Sequence, residues 1–198
     1  MGWEFLSLVS HATFWIVGRA TSAMIDSIKR PNAATQIRAQ PLEFDWTVQL
    51  TQPATVLAHD YWRARCAGRP MPGRADLDPL AMRRFTEHVG LVEIRASEGS
   101  DVEYFIRRAG GRWEEVYGAI TGHYLHEFLP PELEGSWREL FDAVRIRKMP
   151  ARVTTGIDFR GKTWLKTEMF VAPLGQDGEV TMLLMTFVAW SKTKPDQK

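Results

Sequence analysis

Cysteine is almost missing. Cys66 is the single one among 198 residues, so an internal disulfide is excluded, as is any paired-cysteine zinc spacing. That fits a reducing compartment, and we expect a cytoplasmic protein. An excess of charge is missing too: 25 basic residues face 24 acidic ones, a net charge of +1. Nothing in that balance attracts nucleic acid over a distance. No apolar run reaches the roughly 20 residues needed to cross a bilayer. The nearest approach, WEFLSLVSHATFWIVG at residues 3 to 18, has no Lys or Arg ahead of it and contains Glu4 and His11, so we reject both a signal peptide and a membrane span. Standard catalytic signatures are lacking as well. There is no Gly-x-Ser-x-Gly elbow, no Gly-Lys-Ser/Thr phosphate loop, no Gly-x-Gly-x-x-Gly fingerprint and no His-Glu-x-x-His pair.

What is present reads as one domain with a leading appendage. Hydrophobic residues make up 44% and charged residues 25%, ordinary for a globular chain. Trp3, Leu6, Val9, Thr13, Ile16 and Val17 recur at helical spacing and predict an amphipathic helix. Residues 30 to 44 carry two prolines and little periodicity, and read as a linker. From Gln52 a helix begins, with Val56, Leu57, Tyr61, Trp62 and Arg65 marking one face and Gly68 as its stop. Asp78 before Pro79 predicts a further helix start, since the carboxylate caps exposed amides and proline tolerates the first helical position. Leu80, Met82, Phe85 and Val89 should face inward from it.

The rest alternates between strand and helix. GLVEIR (90 to 95) and VEYFIRRA (102 to 109) predict a hairpin with a loop at Ser97 to Ser100. Gly110-Gly111 turns the chain into a short helix ended by Gly118, and HYLHEFL follows until Pro130-Pro131. From about Glu132 to Lys148, Leu133, Trp137, Leu140, Phe141 and Val144 form one apolar stripe. Burying those side chains contributes roughly 2 kcal/mol each, before ordering entropy. Val153 to Arg160 alternates as a half-buried strand, and Arg160-Gly161 turns it into a return from Thr163 to Ala172. In that return Leu165, Met169 and Val171 oppose Trp164, Lys166, Glu168 and Phe170. VTMLLMTFVAW, Val180 to Trp190, is apolar on both faces. It should therefore be a central strand whose outer face is covered by the leading helices or by a second copy.

RRAGGRWEEVYG (107 to 118) with ITGHYLHEFLPPE (120 to 132), YWRARCAGRPMPGRADLDP (61 to 79), and DFRGKTWLKTEMFVAPLG with EVTMLLMTFVAW together resemble a PAS domain. The resemblance is to the bacterial family of short, single PAS-like proteins once listed as a domain of unknown function. It implies an α+β fold: a five-stranded antiparallel sheet, connecting helices on one face and an N-terminal helical extension that packs on the sheet or mediates dimers. Residues 1–50 are then extension and linker, 51–190 the PAS-like domain with its leading helices, and 191–198 a disordered tail. Haem-binding PAS domains usually take their ligand from the long helix, which here has no histidine, so haem is disfavoured. A photoactive flavin is disfavoured too, because Cys66 falls about 40 residues before the expected cysteine motif.

The chemistry is less legible than the architecture. Glu114 and Glu115 are adjacent on a helix and point different ways. His123 and His126, three apart, have the minimum spacing for a shared helix face, but capping or surface roles fit them better than ligation. His88 and His59 read alike, and Cys66 as an inert thiol. Strand parity places Arg108 inward with Tyr104 and Ile106, where it must find a carboxylate such as Glu115 or an anionic ligand. Strand parity and helical phase give a candidate ligand pocket of Tyr104, Ile106, Arg108, Trp113, Tyr117, Tyr124, Trp137, Phe141, Val153, Ile157, Leu165 and Met169, with no catalytic or metal residues. The function expected is sensory or regulatory and non-catalytic: binding a small molecule or protein partner and signalling in trans to another protein. A homodimer through the leading helices and the outer sheet face is expected, with no nucleic acid and no membrane span. Two alternatives stay open. One is an isomerase or hydrolase, for which Asp158 and Glu168 on the presumed wet face are the nearest carboxylates; the other is a structural interaction module.

Overall fold

A computed structural model describes residues 38–97, 101–159 and 163–191, with side chains left aside at 38, 39, 158, 159, 163 and 164. The helical run at 3 to 18, the loop at Glu98 to Ser100, the Arg160-Gly161 turn and the Asp158 and Trp164 side chains lie outside the described residues. The elements run β1 (Arg38–Ala39), β2 (Glu43–Asp45), α1 (Pro53–Cys66), α2 (Pro79–Met82), β3 (Val89–Ala96), β4 (Val102–Ala109), α3 (Gly111–Tyr117), α4 (Leu125–Phe128), α5 (Pro131–Arg147), β5 (Ala151–Phe159), β6 (Thr163–Gln176) and β7 (Glu179–Ser191).

All strand pairs are antiparallel, in the order β1-β5-β6-β7-β3-β4, with β2 also on β5. The five long strands are the expected ones, and β7 sits between β6 and β3 in the middle. Its doubly apolar sequence has the expected cause: Leu183, Met185 and Phe187 enter the cluster on the inner face, while Met182 and Leu184 enter the one on the outer face. The inner face is covered by α3, α4 and α5, whose Trp113, Tyr117, Leu125, Trp137, Leu140, Phe141 and Val144 are buried. The outer face is covered from within the same chain by α1 and the α2 region, through Ala58, Trp62, Met82 and Phe85 against Phe170, Leu174 and Leu184. Trp62 also donates its indole N–H to the Pro173 carbonyl at 2.9 Å.

Three details of the sequence reading change. The segment expected as a linker supplies β1 and β2, because β5 is an edge strand whose unpaired backbone groups take partners. The buried stripe of α1 is Thr55, Ala58, Trp62 and Cys66; of the expected face only Trp62 belongs to it, while Leu57, Tyr61 and Arg65 are half-buried and Val56 is exposed. The Phe170 ring sets that phase, with Trp62 at 6.2 Å and His59 at 5.5 Å packed edge-on against it. Asp78 caps Leu80 N–H at 2.9 Å as expected, but α2 is a single turn and leaves Leu80 71% exposed.

Candidate ligand-binding site

Between the sheet and α3–α5 lies a half-open cavity, tight inside at about 20 Å³ and widening to about 350 Å³ of atom-free space with its mouth counted. The interior holds about one water. Its floor is Gly90 and Val92 of β3, Ile106 of β4 and Met185 of β7; its roof is Trp113 and Tyr117 of α3, with Trp137 and Phe141 of α5. These aromatics interlock, Trp113 lying 4.9 Å from Phe187 and 6.1 Å from Trp137, and Trp137 5.3 Å from Phe141, ring centre to ring centre. Each roof residue is set by local chemistry. Gly118, at φ 82°, ends α3, and the Trp113 indole donates to the His88 carbonyl at 2.8 Å, fixing α3 against the entry to β3. Burial pushes the Tyr117 phenol well above its usual range, so it stays protonated.

Of the expected pocket residues, Ile106, Arg108, Trp113, Tyr117, Trp137 and Phe141 do line the cavity. Tyr104 is buried beside it and donates its hydroxyl to Asp142 Oδ1 at 2.7 Å. Burial first, then that bond, raises its pKa. Val153, Ile157 and Met169 belong to the inner core away from the wall, and Leu165 is half-buried at the other end of β6. Tyr124 lies outside the cavity, stacked on His126 and taking a hydrogen bond from Arg95 at 3.1 Å. Leu125, Phe128 and Leu129 of the α4 region complete the wall. The sequence reading placed HYLHEFL between Gly122 and Pro130 without assigning it a phase, so it had no handle on them.

Arg108 is corrected. A β-bulge pairs Leu91 with Arg108 but Val92 with Ile106, which inserts one residue and breaks the parity that would have carried Arg108 inward. Arg107 and Arg108 are both exposed. Glu115, the expected internal partner, instead faces Arg112 at 3.2 Å. Among the lining residues only Arg108, Ala109 and Phe128 are not buried, so they mark the mouth.

The histidine pair separates, since His123 precedes α4 and only His126 lies in it, 3.7 Å from Glu103. Among the described residues no group of three or more His, Cys, Asp or Glu could hold a metal. Cys66 is buried, and that burial raises its thiol's pKa.

Glu168 is the other correction. It is fully buried on the outer face, under the start of α1. Thr51 N–H, Gln52 N–H, Thr51 Oγ1, Thr55 Oγ1 and Arg152 Nε all donate to it at 2.6 to 3.1 Å. Burial works to raise its pKa, but the hydrogen bonds from Thr55, Gln52 and Thr51 outweigh it and hold the group at about 2. Arg152 reaches on to Asp45 at 3.6 Å. One carboxylate thus fastens α1 to the sheet, on the side opposite the cavity.

A PAS domain family model matches residues 50–188. No curated protein matches the chain. Four chains of known structure do; among them, one described as an RNA-binding light-oxygen-voltage receptor is similar at 11% identity with a TM-score of 0.36, over 91% of this chain and 45% of that one. The chain therefore spans less than half of that receptor's length.

Proposed function

The chain belongs to the PAS domain family across residues 50–188, and on that premise we propose that it senses a small, mainly apolar molecule and reports it through α1 to a signalling protein in trans. PAS domains are sensory and regulatory modules and typically non-catalytic. One observation carries the reading. Gly90, Val92 and Met185 line the cavity, while their neighbours on the same strands, Leu91 and Leu184, lie in the outer cluster with Trp62 and Phe85. Any displacement of the floor by an occupant is therefore felt in the layer that seats α1. The readout is a shift between two packings of α1, and it needs an occupant with different affinity for each. The wall has no carboxylate or imidazole among the described residues, which favours binding over the isomerase or hydrolase alternative.

Partner docking falls on the exposed side of α1, because the chain's own helices already cover the sheet's outer face. A second copy would use that same helix surface. Among the described residues no helix is long and apolar enough to cross a membrane; the cytoplasmic location we propose rests on the single cysteine. The tightness of the cavity favours one second reading, an interaction module with an aromatic-filled core. Native mass spectrometry of protein purified from its own source separates them: a retained small molecule supports the sensor, and an empty dimer supports the interaction module.

A further inference from the structure

Leu80, expected to face inward, is the most exposed large apolar side chain among the described residues, at 71%. Helical phase explains its setting. Met82 and Phe85, three apart, are the buried side of the α2 turn, which leaves Leu80, Arg83 and Arg84, three and four apart, on the opposite side. All three are exposed. The end of β4 lies at the same corner. Gly110 N–H donates to the Val89 carbonyl at 2.8 Å, and its Cα packs against the backbone of Thr86 and Glu87. The bulge pairs Arg108 with Leu91, and Leu91 belongs to the outer cluster together with Met82 and Phe85. Arg107 and Arg108, both exposed, thus flank the junction that Arg83 and Arg84 overlook. None of these four arginines has a carboxylate partner among the described residues. Glu87, three residues beyond Arg84, already faces Arg112 at 3.5 Å and His88 at 3.4 Å.

We propose that this corner docks an acidic segment of a partner protein: its carboxylates pair with Arg83, Arg84, Arg107 and Arg108, and an apolar side chain set among them packs on Leu80. Cations gathered in one place repel one another and gain from opposite charge, and guanidinium takes a planar carboxylate through two parallel hydrogen bonds. The chemistry of the corner favours a polypeptide over a nucleic acid. Its exposed apolar group is aliphatic, whereas bound bases stack on aromatic rings, and a net charge of +1 adds no long-range pull on a polyanion. The surface belongs to α2 and β4 instead of α1, and it does not depend on the cavity being filled.

Fluorescence anisotropy of the full-length protein with three labelled probes tests this: a glutamate-rich peptide with a central leucine, the same peptide with lysine in place of glutamate, and an oligothymidylate of equal negative charge. The glutamate peptide should bind, more weakly as salt rises, and the lysine peptide should not. Arg83→Glu with Arg84→Glu should weaken binding about tenfold, and Arg107→Glu with Arg108→Glu by a similar factor, since each pair of changes removes two exposed ion pairs. Leu80→Ser should weaken it about threefold. Arg63→Glu, the same change of charge on α1, should have little effect, and thermal unfolding checks that each variant keeps its fold. Equal loss in Arg63→Glu, no binding of the glutamate peptide, or tighter binding of the oligothymidylate would each overturn the proposal. The sensory reading survives those outcomes, since it is decided by the molecule that the cavity retains.

Discussion

Removing the Glu168 carboxylate should disturb several bonds at once, because five donors converge on it and one of them, the Thr55 hydroxyl, belongs to a fully buried residue. Glu168→Ala should lower stability by about 3 kcal/mol in urea denaturation, and Glu168→Gln by less. Acid should mimic the loss. With a folded pKa of about 2 against an ordinary 4.5, the group stabilises the fold fully above about pH 4.5, and its contribution fades as pH falls toward 2. The urea midpoint should drop over that window in the parent and drop less in Glu168→Gln. Gly110 is a second sensitive position, and for a reason the sequence does not display. Its φ of −78° suits any residue, yet a Cβ there would sit within 2.6 Å of the Thr86 carbonyl and crowd the Glu87 backbone. Gly110→Ala should therefore cost about 2 kcal/mol, whereas Gly111→Ala, with open space around it, should be tolerated. A comparable melting temperature for the two variants would contradict this.

At the scale of elements, α1 is held by one polar anchor at its start and by the Trp62 and Phe170 contact farther along. Weakening the anchor should loosen that helix before the sheet gives way. In Glu168→Gln, amide hydrogen exchange should quicken in α1 much more than in α5; equal acceleration in both would mean the carboxylate merely supports global stability. The elements also explain what could be read beforehand. The α5 stripe and the doubly apolar β7 were legible because burial there follows a simple period against one neighbour. The face of α1 was not, since Leu57 and Tyr61 look as apolar as Ala58 and Trp62 until the position of Phe170 is known. Nor were β1 and β2, whose pairing partner lies more than 100 residues away at Arg152 to Asp158. Half of the expected pocket fell on the cavity for the same reason. Helical phase placed Trp113, Tyr117, Trp137 and Phe141, whereas a single extra residue in β4 redirected Arg108, and Val153, Ile157 and Met169 share the correct face but not the correct end of it.

For the molecule as a whole, the sheet separates two compartments, the aromatic-walled cavity and the layer that seats α1, and both are built from the same central strands. Its two borders are guarded too. Along β5 run β1 and β2, and beside β4 the segment at Gly122 to Tyr124 bonds to the backbone of Ile106 and bridges at Phe105. Deleting residues 1–46 should bare the β5 border, and light scattering should then detect association that rises with concentration more steeply than in the full chain. Among the described residues both rims are thus paired along part of their length, which leaves a foreign strand less open ladder to join. The more of each border is occupied, the more any encounter has to be settled by side chains, whose identity differs from protein to protein, and the less by the main chain that every polypeptide shares.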